Sequence, residues 1–243
     1  MKVFIGFDDT DFLGAAIGTG RLARMCEDKL PSAVRLWGVL CHQLLVDDRI
    51  PYTSHNCPAC AVVEIDDARL IPRLVELAIA HLTELASPGS DPGLCVARAD
   101  GDLTRLVAFG VACTNSVRTQ EEARSVALSS GIHLSGHGGI HQGIIGAAAA
   151  VGLSAHGWSG RFLEFGRLRA LPDPIRADQL IARGMLPVIL DGDASVLPPD
   201  ALIHTHGWLS PRLWAGRPVV PVQFENGRWL SIDHQPHDAE MAD

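Results

Sequence analysis

The sequence has 243 residues, 47% of them hydrophobic and 20% charged. That is enough apolar material for a packed core and too much for a disordered chain. Its 28 acidic residues against 20 Lys and Arg give a formal charge of −8, whereas nucleic-acid binders usually carry a basic excess to neutralise phosphates.

In chain order, Lys2 to Phe7 is short, apolar and rich in β-formers, and reads as a buried strand. Met1 to Phe7 is too short and too soon acidic for a signal peptide. No run in the sequence reaches the ~18 apolar residues of a membrane span. A soluble, cytoplasmic protein without a membrane partner is expected. Asp8-Asp9-Thr10-Asp11 follows, then a glycine-containing loop to Gly20. A helix is predicted from Arg21 to Lys29, closed by Pro31. Val34 to Leu45 and Ala61 to Ile65 read as strands, with a polar irregular stretch over 47–57 between them. Asp67 opens a long helix to Ala86, on which Leu70, Leu74, Leu77 and Leu82 recur near helical period.

Ser87-Pro88-Gly89-Ser90-Asp91-Pro92-Gly93 is the clearest linker, and a domain boundary is placed there. Beyond it come a strand at Leu94 to Ala97 and a helix from Leu103 to Cys113. A second helix is capped by Thr119, carries Glu121 and Glu122 in its first turn and ends at Gly131. A short strand, Ile132 to Leu134, leads into the glycine-rich 136–143 and an Ala-rich helix from Ile144 to Val151. The remainder alternates short strands and turns, with one helix near Ile175 to Ala182 and a polar, frayed end from His234. Mixed strands and helices in both halves argue α/β or α+β.

Four segments carry side chains suited to chemistry. Asp8, Asp9 and Asp11 repel one another unless a cation sits between them, and Mg2+ with its oxygen ligands is the common answer. Continued strand alternation would project Asp9 and Asp11 to one side. An exposed acidic turn explains the same spacing. In Gly18-Thr19-Gly20, Thr19 offers a hydroxyl that could cap the helix, bind phosphate or accept a phosphoryl group. Gly136 to Gly143 lets backbone approach a ligand closely and precedes a helix N-terminus, with His137, His141 and Gln142 as added donors. A plain strand-to-helix turn would look the same. No phosphate-loop lysine motif exists, the only lysines being Lys2 and Lys29.

The fourth segment, 52–60, holds Cys57 and Cys60 at zinc-knuckle spacing. A structural zinc site needs two clear ligand pairs. Cys41 and His42, the other candidates, are adjacent on a strand and face opposite ways. Zinc is therefore not favoured over incidental buried thiols. His204-Thr205-His206-Gly207, in an expected turn, could meet a phosphate or metal.

Five segments together resemble one family. Residues 4–11 are similar to the opening "IGIDDTD" of the archaeal 2-agmatinylcytidine synthetases, which modify an isoleucine tRNA. Residues 49–56 resemble their "NIPWKTRGN", residues 90–94 their "DPG" segment, residues 136–152 their "GNGRGLIGALAAIG" and residues 206–213 their "PHGPDPVL". All five come in family order. The resemblance implies an α+β protein: a small α/β kinase-like domain handling ATP and Mg2+ over 1–87, then a ferredoxin-like α+β domain with a C-terminal extension over 88–243.

Carried over by position, Asp8, Asp9 and Asp11 match the acidic metal–nucleotide site and Thr19 the reactive threonine. Thr10, Gly18, Gly20, Ser54, His55, Asn56, Gly138, Gly139, His141, Gln142 and Gly143 would bind nucleotide or acceptor. The departures remove cations: the basic "WKTRG" becomes Tyr52 to Asn56, and the arginine of "GRGLIG" becomes Gln142. The family's OB-fold and zinc ribbon have no counterpart in the sequence. The expected protein is an ATP- and Mg2+-dependent kinase or ligase with a small-molecule acceptor, not a tRNA binder by itself, and a homodimer is compatible with it. Two other readings stay open: a tRNA-modifying enzyme whose RNA contacts come from a partner chain, and a non-catalytic nucleotide-binding module.

Overall fold

The computed structural model describes residues 1–52, 55–191 and 193–232. Ser54, one of the expected site residues, and the C-terminal end from His234 lie outside the described residues.

The first half alternates as its pattern dictates. Strand β1 spans Lys2–Asp8, helix α1 Thr19–Met25 with a 3-10 turn to Lys29, strands β2 and β3 Val34–Cys41 and Ala59–Ile65, helix α2 Ile71–Leu85 and strand β4 Gly93–Arg98. Then come α3 (Thr104–Cys113), α4 (Gln120–Ser130), β5 (His133–Gly136), α5 (Ile144–His156) and β6 (Arg161–Glu164). The rest is short: β7 (Ile175–Arg176), α6 (Ala177–Ile181), β8 (Leu186–Ile189), β9 (Leu202–His204), β10 (Arg212–Trp214), β11 (Arg217–Glu225) and β12 (Arg228–Ser231).

The strands join one mixed sheet in the order β5-β4-β1-β3-β2-β6-β10-β11-β12-β9-β7, with β8 beside β11. The pairings among β1 to β6 are antiparallel, and β8 and β12 pair in parallel with β11 and β9 respectively. The architecture is α+β. No helix of the described residues is long and apolar enough to cross a membrane. Strands from both sides of the boundary expected at 87/88 belong to this sheet. Strand β1 before it and β4 after it are hydrogen-bonded neighbours, with Phe7 opposite Leu94 and Asp8 opposite Gly93.

Side-chain alternation along β1 divides the core in two. Val3, Ile5 and Phe7 pack with Leu22 and Ala23 of α1 and with Leu74, Ala78 and Leu82 of α2. The last three, four residues apart, form one stripe of that helix. Phe4 faces the other way, with Val62 and Cys95, toward Leu106, Phe109, Ala147 and Val151 of α3 and α5. Helix α5 is buried along most of its length and lies directly on β1. At Gly6 a Cβ would collide with the Ala147 carbonyl oxygen, so only glycine permits that approach. This explains the small residues of α5: it is wedged between the sheet and α3.

Local signals mostly mark the ends of elements. At α4 the Thr119 hydroxyl accepts from the Glu122 backbone N–H. The Glu122 carboxylate accepts from the Thr119 N–H at 2.8 Å, and Gly131 closes the helix in a left-handed conformation. Strand β2 stops at Cys41, four residues short of expectation. Beyond it His42 N–H bonds Pro58 O and Leu44 N–H bonds Asn56 O, so the chain stays tied to the segment before β3 without being strand.

Candidate functional site

Strand β1 delivers Asp8 to the end of the sheet, and the chain then leaves strand geometry. Asp9 takes a left-handed backbone, φ 53°. The alternation expected to place Asp9 and Asp11 on one side therefore does not apply. Asp8 points to the α5 side, over Gly146 in the first turn of that helix. Thr10 is fully buried and its hydroxyl lies 2.9 Å from that of Thr19. Thr19 is the first residue of α1, and Gly18 occupies the cap position without a side chain to offer. Asp11 takes over: its carboxylate accepts the Thr19 backbone N–H and packs against Gly18.

The pKa values of all three acids are raised. Burial pushes Asp8 up to about 8, reinforced by the charges of Asp9 and Asp11. Burial also pushes Asp9 up to about 6, reinforced by Asp91 and Asp11. Asp11 is raised by burial as well, with the Thr19 N–H opposing. A cation would relieve all three, and carboxylate oxygens are the hard donors that Mg2+ prefers. They do not form a closed cage. Among the described residues no three His, Cys, Asp or Glu converge as a metal-holding group. The set fits Mg2+ held by one or two carboxylates and completed by phosphate oxygens and water.

These residues wall a cavity of about 440 Å³. Asp8, Asp9, Asp11, Gly18, Thr19, Gly20, His55, Asn56 and Gln142 line it. So sites read from four separate stretches come together. Asn56 is buried and also structural: its side-chain amide donates to Leu45 O at 2.7 Å, closing the neck of the 45–56 loop. Residues not named as site residues from the sequence complete the wall: Phe12, Arg21, Ser116 and Arg118, with Arg49 and Tyr52 from the segment resembling the family. Arg49 is held by Asp47 at 2.7 Å. Arg118, between α3 and α4, donates to Glu122 at 3.0 Å and to Ser116 Oγ at 2.9 Å, while its Nε is buried without a partner among the described residues. No local pattern marks Arg118.

The glycine-rich loop is used differently from expectation. Gly138, Gly139, His141 and Gly143 do not line the cavity. Their open faces are filled by the 87–93 segment: Gly138 by Ser90, Gly139 by the Asp91 carboxylate, Gly143 by the Asp91 carbonyl and the Gly93 amide. The Asp91 carboxylate accepts the backbone N–H of Ile140 and His141. The segment read as a linker is also bonded to the acidic turn, Ser87 N–H to Thr10 O and Asp91 N–H to Asp9 O. The glycines thus allow two backbones to pack against each other and hold the acidic turn in place.

The Cys57–Cys60 pair separates. The Cys57 thiol is hydrogen-bonded to that of Cys41 and lines the cavity, whereas Cys60 is buried beside Ser154 and the Ile5 backbone. His204 and His206 stand away from the cavity. The turn around His206 is pinned by Asp173, whose carboxylate accepts from Thr205 N and Gly207 N at 2.8 and 3.0 Å.

No protein-family model and no curated protein matches the chain. Solved structures do. A tRNA fluorescent labeling enzyme is 28% identical over 63% of this chain and 36% of that one, with a TM-score of 0.53. The complex of TiaS with its isoleucine tRNA and ATP is 26% identical over 66% of this chain and 38% of that one, with a TM-score of 0.55. Apo TiaS, an isoleucine-tRNA agmatidine synthetase, is 24% identical over 66% of this chain and 37% of that one, at 0.53. The chain spans less than two-fifths of the length of these structures. The resemblance read from five short segments is matched by a likeness in three dimensions to the same enzymes.

Proposed function

We propose that the chain is an ATP- and Mg2+-dependent enzyme of the phosphoryl-transfer or ligase type, related to the isoleucine-tRNA agmatidine synthetases, with a small-molecule acceptor. One observation carries this reading: Asp8, Asp9 and Asp11, their pKa values raised chiefly by burial, wall a cavity of about 440 Å³. That volume lies within the ~300–1,000 Å³ of small-molecule sites. Mg2+, when bound, neutralises phosphate charge. In phosphoryl transfer most of the remaining work is positioning.

In this reading Asp9 and Asp11 hold the metal with the phosphates, and Asp8 backs them from the β1 end. Thr10 orients the Thr19 hydroxyl toward phosphate. Gly18 and Gly20 keep side chains out of its way. Arg118 and Arg21 offer cations to the anionic substrate, and His55, Asn56 and Gln142 face the acceptor. Gly138, Gly139 and Gly143 are left without a phosphate-binding part, because their open faces are already filled.

A second reading is supported by the likeness to the complex of TiaS with tRNA and ATP: a tRNA-modifying enzyme whose further RNA contacts come from elsewhere. Product analysis of ATP incubated with Mg2+ and a panel of small amines and acids, beside tRNA, separates the two. Turnover stimulated by a small metabolite, without micromolar tRNA binding at ~0.15 M salt, is the expected result. Salt-sensitive micromolar tRNA binding would promote the second reading.

A further inference from the structure

We infer that the mouth of the cavity is a base-stacking clamp, in which Phe12 and Tyr52 hold the flat ring of the nucleotide whose phosphates face the carboxylates. This rests on the ATP reading above and adds how the site holds the nucleoside. Phe12 comes from the loop after the acidic turn, and Tyr52 from the segment between β2 and β3. They are forty positions apart in sequence and line the same cavity.

Both are exposed, Phe12 at 53% and Tyr52 at 42%. Among the described residues only four aromatic side chains are this exposed, the others being Trp158 and Phe224, and two of the four line this cavity. Aromatic residues make up just 5% of the chain, and Tyr52 is its only tyrosine. Leu13, 78% exposed, and Val117, 37% exposed and from the third loop around the cavity, extend the same apolar rim.

The cavity wall therefore carries two kinds of surface: the carboxylates Asp8, Asp9 and Asp11, and the exposed rings and aliphatic side chains of Phe12, Leu13, Tyr52 and Val117. A ligand matching both carries polyanionic charge and a flat apolar ring. A nucleoside triphosphate has that form. Exposed aromatic surface is unfavourable in water and is recovered when a ring covers it. Aromatic faces stack any base, so the clamp distinguishes a nucleotide from bare polyphosphate more sharply than adenine from guanine.

The test is calorimetry of the full chain at fixed Mg2+, with ATP and with inorganic tripolyphosphate as separate probes. We expect ATP to bind at least about tenfold more tightly than tripolyphosphate. Phe12→Ala with Tyr52→Ala should remove that advantage and leave tripolyphosphate affinity unchanged. Tyr52→Phe, which keeps the ring, should retain it. Both side chains are exposed, so the variants should fold, as circular dichroism would verify. If the double variant keeps the full preference for ATP, the clamp is wrong. Equal binding of ATP and tripolyphosphate by the unmodified chain would also overturn it while leaving the phosphate site standing. Failure of both probes to bind would bring down the ATP reading and the clamp together. Unchanged ATP affinity with a raised acceptor KM would reassign the rings to the acceptor and overturn the clamp.

Discussion

The Asp8 carboxyl occupies the space that Gly146 leaves at the start of α5. A Cβ on Gly146 would overlap the Asp8 side chain. The acid at the end of β1 and the helix that covers the sheet thus fit only because one helical position lacks a side chain. Gly146→Ala should force Asp8 or α5 to move, at about 1–3 kcal/mol of stability. Denaturant unfolding would measure it. Asp8→Ala in the same background should recover part of the loss, since it vacates the contested space. Strict additivity of the two substitutions would show that they do not meet.

Stability should depend on pH through the acidic turn. Asp8 is pushed up to about 8 and Asp9 to about 6 in the folded chain. An acid with a raised folded pKa contributes its full stability below the unfolded value near 4, and loses it as pH rises through the folded value. The ligand-free protein in chelator should therefore lose thermal stability between about pH 4 and 8, Asp9 contributing to the lower part of that fall. Asp8→Asn keeps the shape and removes the ionisation, so its curve should be flatter above about pH 6. Parallel curves for the two proteins would refute the assignment.

Replacing Asp9 and Asp11 with Asn should abolish the Mg2+ dependence of ATP binding. Each substitution removes a negative charge facing the metal while keeping the side chain's shape, so affinity in the presence of Mg2+ should fall roughly tenfold or more. Titration calorimetry with and without Mg2+ is the measurement. An unchanged Mg2+ effect in the double variant would remove these carboxylates from the site.

Asp91 holds two segments together by accepting the backbone N–H of Ile140 and His141. Asp91→Ala should cost about 1–2 kcal/mol and speed hydrogen exchange at those two amides. It should also loosen the acidic turn, because Asp91 N–H bonds Asp9 O. Unaltered exchange at 140 and 141 would mean that the carboxylate anchors nothing.

Zinc is not expected to be stoichiometric. Cys57 turns to Cys41, and Cys60 to Ser154 and the Ile5 backbone. Metal analysis of protein purified without added zinc should give well under one equivalent, unchanged by Cys57→Ser. A full equivalent lost on that substitution would establish a site.

The sequence by itself determined what depends on near neighbours. The apolar run of β1, the recurrence of Leu74 and Leu82 on α2, and the Thr119–Glu122 cap with its closing Gly131 are each written within a few residues, whereas Ala78 and not the expected Leu77 completes the buried stripe of α2. Their periodicity and capping chemistry do not need the rest of the chain. The position of the acidic cluster at a strand end was legible for the same reason. Only the tertiary structure decided what the glycines of 136–143 do, because an open backbone face looks the same whether a phosphate or the 87–93 segment fills it. It alone showed that the strands on either side of the supposed linker share one sheet, since hydrogen bonding between β1 and β4 leaves no mark on composition. It also turned Asp8 toward α5 and Asp9 into a left-handed bend, and brought Phe12, Tyr52 and Arg118 to one cavity. These residues are far apart in sequence, and their proximity follows from how the sheet and its covering helices pack.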